Sequence, residues 1–166
     1  MATPPAPYIN TKSLTLNFAS SEGGSTFQCQ MDTVGAWSAC SSPKVYSGMK
    51  EGTHTFRARA LDSLLNIDQT PVSATFKVDT IAPNTKITTA PTLTKLTKPT
   101  FKFSTTPTAD AWAYICVIDA GVWAPCTTPW KPLVALKKGS HTFKVKAVDK
   151  AANYDPTAAT KTFRVY

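Results

Sequence analysis

The stretch GTHTFRARALDSLLNID at residues 52–68 recurs as GSHTFKVKAVDKAANYD at residues 139–155. Eight of the 17 positions are identical at a constant offset of 87, and most of the others exchange similar residues, such as Arg for Lys. Self-similarity of this length indicates an internal duplication. The sequence therefore predicts two copies of one module, at residues 1–80 and 81–166.

Within each copy, apolar and polar residues alternate with the periodicity of a β-strand. Phe56, Ala58 and Ala60 are separated by Arg57 and Arg59, and the second copy repeats this alternation from residue 143 to residue 147. We therefore expect one face of each strand to lie in the core and the other to face water.

The equivalence extends beyond this stretch, and the matched residues are Cys29 with Cys116, Cys40 with Cys126, Trp37 with Trp123, and Ala6-Pro7 with Ala82-Pro83. Further alternating segments give about six or seven strands per copy, with turn signals between them. The predicted fold class is all-β, with two tandem antiparallel β-sandwich domains of about seven strands each. Because the chain from Pro7 to Leu16 is shorter than that from Pro83 to Phe101, the first strand of the first copy must be short or differently paired.

Composition excludes several classes of protein. Hydrophobic residues make up 42% of the chain and charged residues 17%, which is too apolar for a disordered chain. The longest apolar run, residues 111–118, is far shorter than the roughly 20 residues of a membrane-spanning helix. Thirteen prolines against seven glycines favour short strands over long helices. The first residues lack the features of a signal peptide, and we expect the chain to be a segment of a longer protein.

The net charge of +8 belongs to one copy. Residues 1–80 contain six basic and six acidic side chains, which leaves twelve basic and four acidic side chains for residues 81–166. Such an asymmetry can indicate an anionic partner for the second copy. The alternative is that surface strands carry lysine only to stay soluble and unpaired.

The motifs follow a characteristic order in both copies. Phe-x-Cys precedes Trp-x-x-Cys-x-x-Pro, then Gly-x-His-Thr-Phe-x-x-x-Ala-x-Asp-x-x-x-Asn-x-Asp, and in the first copy a strand ends near Val-Asp-Thr-x-Ala-Pro. This order resembles the tandem bacterial immunoglobulin-like repeats of secreted and cell-surface proteins. The resemblance implies an Ig-like or fibronectin-III-like fold and a role as stalk, spacer or adhesive unit. Glycine is common before the last Asn in that family, so Leu65 and Ala152 argue against a left-handed turn there.

The four cysteines form two pairs with similar spacing. A hairpin could bring Cys29 to Cys40 and Cys116 to Cys126, which favours two disulfide bonds and hence an oxidising compartment. Four reduced core cysteines in a cytosolic protein are the alternative. A zinc site is disfavoured, because one His per copy leaves the ligand set incomplete.

The acidic and amide residues of each repeated loop are Asp62, Asn66 and Asp68, and Asp149, Asn153 and Asp155. Turn capping is the favoured interpretation, since Asp and Asn accept bonds from nearby backbone amides. Weak calcium binding is the alternative, although three side chains supply few of the six to eight oxygens that calcium takes. No catalytic residue and no cofactor is predicted, because each His and most acids recur in both copies, as scaffold residues would.

The residues that do not recur are the candidate ligand contacts. Trp112 and Trp130 have no tryptophan counterpart in the first copy, and a repacked core is the alternative explanation for them. The lysines that could accompany them are Lys137, Lys138, Lys144 and Lys146. Positive charge beside a flat apolar ring suits sugars that carry carboxylate or phosphate groups.

The function expected from these features is a non-catalytic, extracellular pair of Ig-like modules that acts as a spacer or adhesive segment of a larger bacterial surface or secreted protein. A carbohydrate-binding accessory pair on a secreted enzyme is the alternative. The expected partners are neighbouring domains of a longer chain and an anionic glycan or other cell-surface ligand, without membrane insertion. Nucleic acid is an unlikely partner, because only the basic charge suggests it and no reading motif is present.

Overall fold

The computed structural model describes residues 5–32, 36–106 and 111–166. Within these ranges the chain forms strands, turns and irregular segments and has no helix, which confirms the predicted all-β class. The described residues accordingly include no helix that could cross a membrane.

Contacts between Cα atoms divide the chain into two compact units, Met1–Thr80 and Ile81–Tyr166. The strands of the first unit are β1 (Tyr8–Ile9), β2 (Leu14–Leu16), β3 (Thr26–Met31), β4 (Ser38–Cys40), β5 (Lys44–Tyr46), β6 (Gly52–Leu61) and β7 (Val72–Val78). The strands of the second unit are β8 (Asn84–Thr89), β9 (Leu93–Thr94), β10 (Lys102–Thr106), β11 (Ala113–Ile118), β12 (Ala124–Cys126), β13 (Gly139–Val148) and β14 (Ala159–Val165).

Each unit contains a five-stranded sheet with the duplicated segment at its centre. The strand order is β1-β7-β6-β3-β4 in the first unit and β9-β14-β13-β11-β12 in the second. The long strands β6 and β13 pair antiparallel on both sides, and the parallel pairs are β1 with β7 and β9 with β14. The inward residues of the central strands are almost fully buried, as the alternation predicts, for example Phe56 and Phe143.

A smaller sheet contributes to the core of each unit. In the first unit β2 pairs with β5, and Leu16 and Phe18 pack with the buried residues of the large sheet. In the second unit β8 pairs with β10, and Phe101 forms an isolated bridge with Trp130. Both units thus bury their apolar side chains between a five-stranded sheet and a two-stranded sheet.

The first strands of the two units differ, and the alignment of Pro7 with Pro83 is wrong. The two-residue strand β1 pairs with β7, and its counterpart at the same edge of the second unit is β9, not β8. The carbonyl of Pro7 accepts the N–H of Lys77, and the carbonyl of Thr92 accepts the N–H of Arg164 in the equivalent place. Strand β8 precedes the equivalent of β1 in the second unit, and β1 itself is short, as the spacing of the first copy predicts.

The loops after β6 and β13 contain the left-handed turn that Leu65 and Ala152 argued against. Leu65 has φ 65° and Ala152 has φ 66°. In the first loop Asp62 Oδ1 accepts the backbone N–H groups of Leu64 and Asn66, both at 2.8 Å, and Asn66 Nδ2 donates to Asp62 Oδ2. These bonds are the turn chemistry expected of Asp and Asn. They fix the loop strongly enough to hold a residue with a Cβ in a conformation that favours glycine.

Strand β8 determines the environment of one repeated aspartate. Asp155 is 1% exposed, and its Oδ2 accepts the backbone N–H of Thr85 on β8 at 2.6 Å, while Oδ1 accepts the N–H of Thr157. Burial acts to raise the pKa of Asp155, but the bonds from Thr85 and Thr157 together hold it below its ordinary value. The counterpart Asp68 is exposed, and its carboxylate accepts hydrogen bonds from the N–H and the hydroxyl of Thr70.

Replacement of these two aspartates should therefore have unequal effects. Asp155→Ala leaves the buried N–H of Thr85 without its acceptor, whereas Asp68→Ala removes a bond that water can replace. We expect Asp155→Ala to destabilise its unit by about 2 kcal/mol more than Asp68→Ala. Calorimetry of the intact chain should show this as a transition lowered by roughly 10 °C more. Equal shifts for the two variants would contradict the role assigned to β8.

Candidate functional site

The structure brings each predicted cysteine pair to bonding distance. The sulfurs of Cys29 on β3 and Cys40 on β4 are 2.09 Å apart, and those of Cys116 on β11 and Cys126 on β12 are 2.04 Å apart. Cys29 and Cys116 are buried on the inward face of the large sheets. Each pair therefore ties the edge strand of a large sheet to the strand beside it.

The histidine that recurs in both copies is hydrogen-bonded at both ring nitrogens. We call this arrangement the histidine clasp. Nδ1 of His54 lies 3.0 Å from Asp32 Oδ2, and Nε2 lies 2.9 Å from the carbonyl oxygen of Lys50. His141 makes the same two contacts, at 2.7 Å to Asp119 and 2.8 Å to the carbonyl oxygen of Lys137.

The clasp has a consequence for protonation. A carboxylate and a carbonyl can only accept hydrogen bonds, so both ring nitrogens must donate and the clasp is complete only in the imidazolium form. The Lys50 carbonyl, followed by Asp32, raises the pKa of His54 above its ordinary value despite partial burial. Asp119, followed by the Lys137 carbonyl, raises the pKa of His141 in the same way.

The histidine clasps leave neither ring nitrogen available to a substrate. A histidine that acts as a general base needs one ring nitrogen free to take a proton from the substrate or nucleophile. In both clasps the two nitrogens are already occupied, and the same contacts occur twice. Among the described residues, His, Cys, Asp and Glu side chains form no group of three or more that could hold a metal ion.

The predicted lysine contacts lie in two places on the second unit. Lys144 and Lys146 stand on the outward side of β13, opposite Val117 and Ile115 of β11, and this side is named here the lysine face. Lys137 and Lys138 are exposed in the segment before β13. Trp112 is 69% exposed, and the Nζ of Lys150 lies 6.0 Å from its ring centroid.

Trp130 is half-buried and packs against the core of the second unit. Its ring is stacked on Phe143 with centroids 4.9 Å apart, and its backbone exchanges two hydrogen bonds with Phe101. One face of Trp130 therefore contributes to core packing, and its role as a ligand contact stays a prediction. In the first unit the equivalent position is Lys44, which pairs with Leu16 on β2.

The sequence did not predict an apolar groove in the second unit. It is a cavity of about 650 Å³ between β12, residues 121–122 and the segment 131–136. Trp130 and Leu136 are among its lining residues, as are Val122, Leu133 and Val134, whose exposures are 89%, 89% and 77%. The signal in the sequence was the run Pro-Leu-Val at residues 132–134, where the alternation of a strand is absent.

No family model matches the chain, and no curated protein does. Among solved structures, the fibronectin(III)-like modules of Clostridium thermocellum CbhA are 17% identical, with 99% of this chain and 94% of that chain covered and a TM-score of 0.58. This likeness shows an Ig-like, fibronectin-III-like fold.

Two further structures are more distant. Murine CEACAM1b is 10% identical, with 97% of this chain and 96% of that chain covered and a TM-score of 0.43. The Bacteroides ovatus mixed-linkage glucan utilization locus protein SGBP-B, in complex with a mixed-linkage heptasaccharide, is 14% identical over 96% of this chain and 42% of that chain, with a TM-score of 0.35. Neither likeness is close enough to carry a conclusion about this chain.

The histidine clasps predict how stability depends on pH. Because the pKa of each His is raised on folding, their contribution should be fully present below pH 6.5 and lost as the pH rises through the higher pKa of the folded state. Urea unfolding between about pH 5.5 and pH 8.5 should therefore show decreasing stability. The double variant His54→Gln with His141→Gln should flatten this dependence, and an unchanged slope in that variant would contradict the clasp.

Proposed function

We propose that the chain is a tandem pair of Ig-like β-sandwich modules, residues 1–80 and 81–166, that serves as a non-catalytic spacer or adhesive segment of a larger secreted or surface protein. The observation that carries this proposal is the repeated use of the same polar groups for internal bonds. Each cysteine pair, each histidine clasp and the first aspartate of each acidic loop engages the same partners in both units. Side chains that make the same internal bonds in both units stabilise the fold. Such side chains are poor candidates for an active site, which normally occurs once in a protein.

An extracellular location follows from the cysteines within this proposal. Disulfides persist in oxidising compartments and are rare in the cytosol. Closing a loop of about ten residues constrains the unfolded chain by roughly 2–3 kcal/mol. This contribution is useful to a unit of about 80 residues, because domains of that size bury a limited core.

We place ligand contacts on the second unit, because its surface charge is unbalanced. Of its acids, Asp149 and Asp155 are buried at 3% and 1% exposure, and Asp119 is bonded to His141 and to the backbone N–H of Thr142. The lysine face and the exposed lysines therefore meet little opposing charge from these acids. An anionic partner would be attracted to this unit more strongly than to the first, whose charges cancel.

A carbohydrate-binding accessory role is the second candidate, and one observation favours it. The ring of Trp112 is mostly exposed beside Lys150, which combines an apolar platform with a positive charge. Such a pair suits a sugar ring that bears a carboxylate or phosphate group. Trp112 is one of the two tryptophans that the sequence indicates as candidate ligand contacts.

Binding of anionic bacterial glycans to the intact chain should test the location. We expect Trp112→Ala, and Lys144→Glu with Lys146→Glu, each to weaken binding by about tenfold or more. The matched control is Arg57→Glu, which changes the residue equivalent to Lys144 in the first unit. A glycan that binds the chain and loses affinity equally in the control and in the lysine variants would contradict the proposed location.

A further inference from the structure

We infer that the apolar groove of the second unit binds the acyl chain of an anionic amphiphile. This inference goes beyond the proposed function, because the groove lies between β12 and the segment 131–136 and neither Lys144 nor Lys146 is among its lining residues. It rests on three properties of the groove, which are its apolar lining, its basic margin and its size.

The lining selects an apolar ligand. Of the described residues that line the groove, Thr127 and Lys131 are the ones with polar side chains, and the others are aliphatic, aromatic, proline, glycine or disulfide residues. A sugar bound there would have to bury hydroxyl groups against a surface with few side-chain partners, which is costly. An alkyl chain has no such groups, and it would cover Val122, Leu133 and Val134, which are otherwise exposed to water.

An extended peptide fits this surface less well. A peptide backbone needs hydrogen-bond partners along its length, and the usual source is a long sheet edge. The edge strand beside the groove, β12, has three residues, and Pro125 at its middle has no N–H to donate. The groove therefore offers contact area for side chains or alkyl groups. Its edge strand provides few backbone hydrogen bonds for an added peptide strand.

The margin of the groove selects a negative head group. Lys131 lines it, the Nζ of Lys98 donates to the carbonyl of Leu133, and Lys137 and Lys138 follow Leu136 directly in the chain. No carboxylate is among the described lining residues. A carboxylate, sulfate or phosphate at the end of an alkyl chain would find opposite charge there.

The shape of the groove favours a single chain over a flat membrane surface. Its volume of about 650 Å³ lies within the range of small-molecule sites, which are concave and mostly apolar with a few placed polar groups. A flat bilayer would contact exposed side chains such as Val122 and Leu133 and leave the concave part unfilled. We therefore assign the occupant as one acyl chain of a dispersed amphiphile.

Titration calorimetry of the intact chain with dodecanoate, below the concentration at which it forms micelles, tests this inference. We expect one bound dodecanoate, at least about tenfold tighter than dodecyltrimethylammonium, which has the same chain and a positive head group, and no binding of acetate. Leu133→Ser with Val134→Ser should weaken dodecanoate binding by about tenfold or more. Both side chains are exposed, so the fold should tolerate these changes.

Two controls separate this site from other surfaces. Leu64→Ser changes a similarly exposed leucine in the first unit and should leave dodecanoate binding unchanged. Lys144→Glu with Lys146→Glu should also leave it unchanged, so that failure of the lysine face and failure of the groove are distinguishable.

Three results would overturn the inference. They are the absence of dodecanoate binding, binding that the Leu133 and Val134 changes do not weaken, and equal affinity for dodecyltrimethylammonium. Sedimentation with phosphatidylglycerol vesicles, without binding of dispersed dodecanoate, would also overturn it and would indicate a membrane surface as the partner.

Discussion

The structure of each unit depends on the burial of one face of a ten-residue central strand. In β6 and β13 the alternate residues Phe56 and Ala58, or Phe143 and Val145, are 2% exposed or less. Withdrawing a large side chain such as phenylalanine from water contributes about 1.5–3 kcal/mol. Both strands are also paired on both sides, so their backbone groups are satisfied while the face is buried. The other contacts that the two units share lie at the ends of this strand or at the edge of its sheet.

These contacts explain why the repeated polar residues are structural. The histidine clasp fixes the start of the central strand to the turn after β3 or β11, and the acidic loop fixes its end. The disulfide holds the neighbouring strand to the sheet edge. The second unit differs from the first in its apolar groove and in its uncompensated lysines. The differences between the copies are therefore better guides to function than the residues they share.

The sequence predicted the parts of the fold that depend on local patterns. The alternation around Phe56 and Phe143 identified the central strands, and the spacing of the cysteines placed each pair on adjacent strands. The alignment of Pro7 with Pro83 failed because a proline indicates where a strand can start and does not determine its partner. The turn at Leu65 was misjudged because the side-chain bonds of Asp62 outweigh the preference of that position for glycine.

The candidate site was harder to predict, because it depends on where distant segments meet. Trp130 follows a proline in a loop, and whether its ring lies inside or outside depends on its pairing with Phe101, which is remote in sequence. The groove arises in the same way, from the approach of residues 131–136 to β12. Composition and charge pointed to the second copy, but they carry no information about this approach.

The central claim is that both units are built on the same buried strand, and native-state hydrogen exchange resolved to single residues tests it most directly. The slowest-exchanging amides of the first unit should lie in β6 and its partners β3 and β7, and those of the second unit at the equivalent positions of β13, β11 and β14. Comparable protection from hydrogen exchange at equivalent positions of β6 and β13 would agree with this claim. Greatest protection in the small sheets, or in β13 without β6, would contradict it.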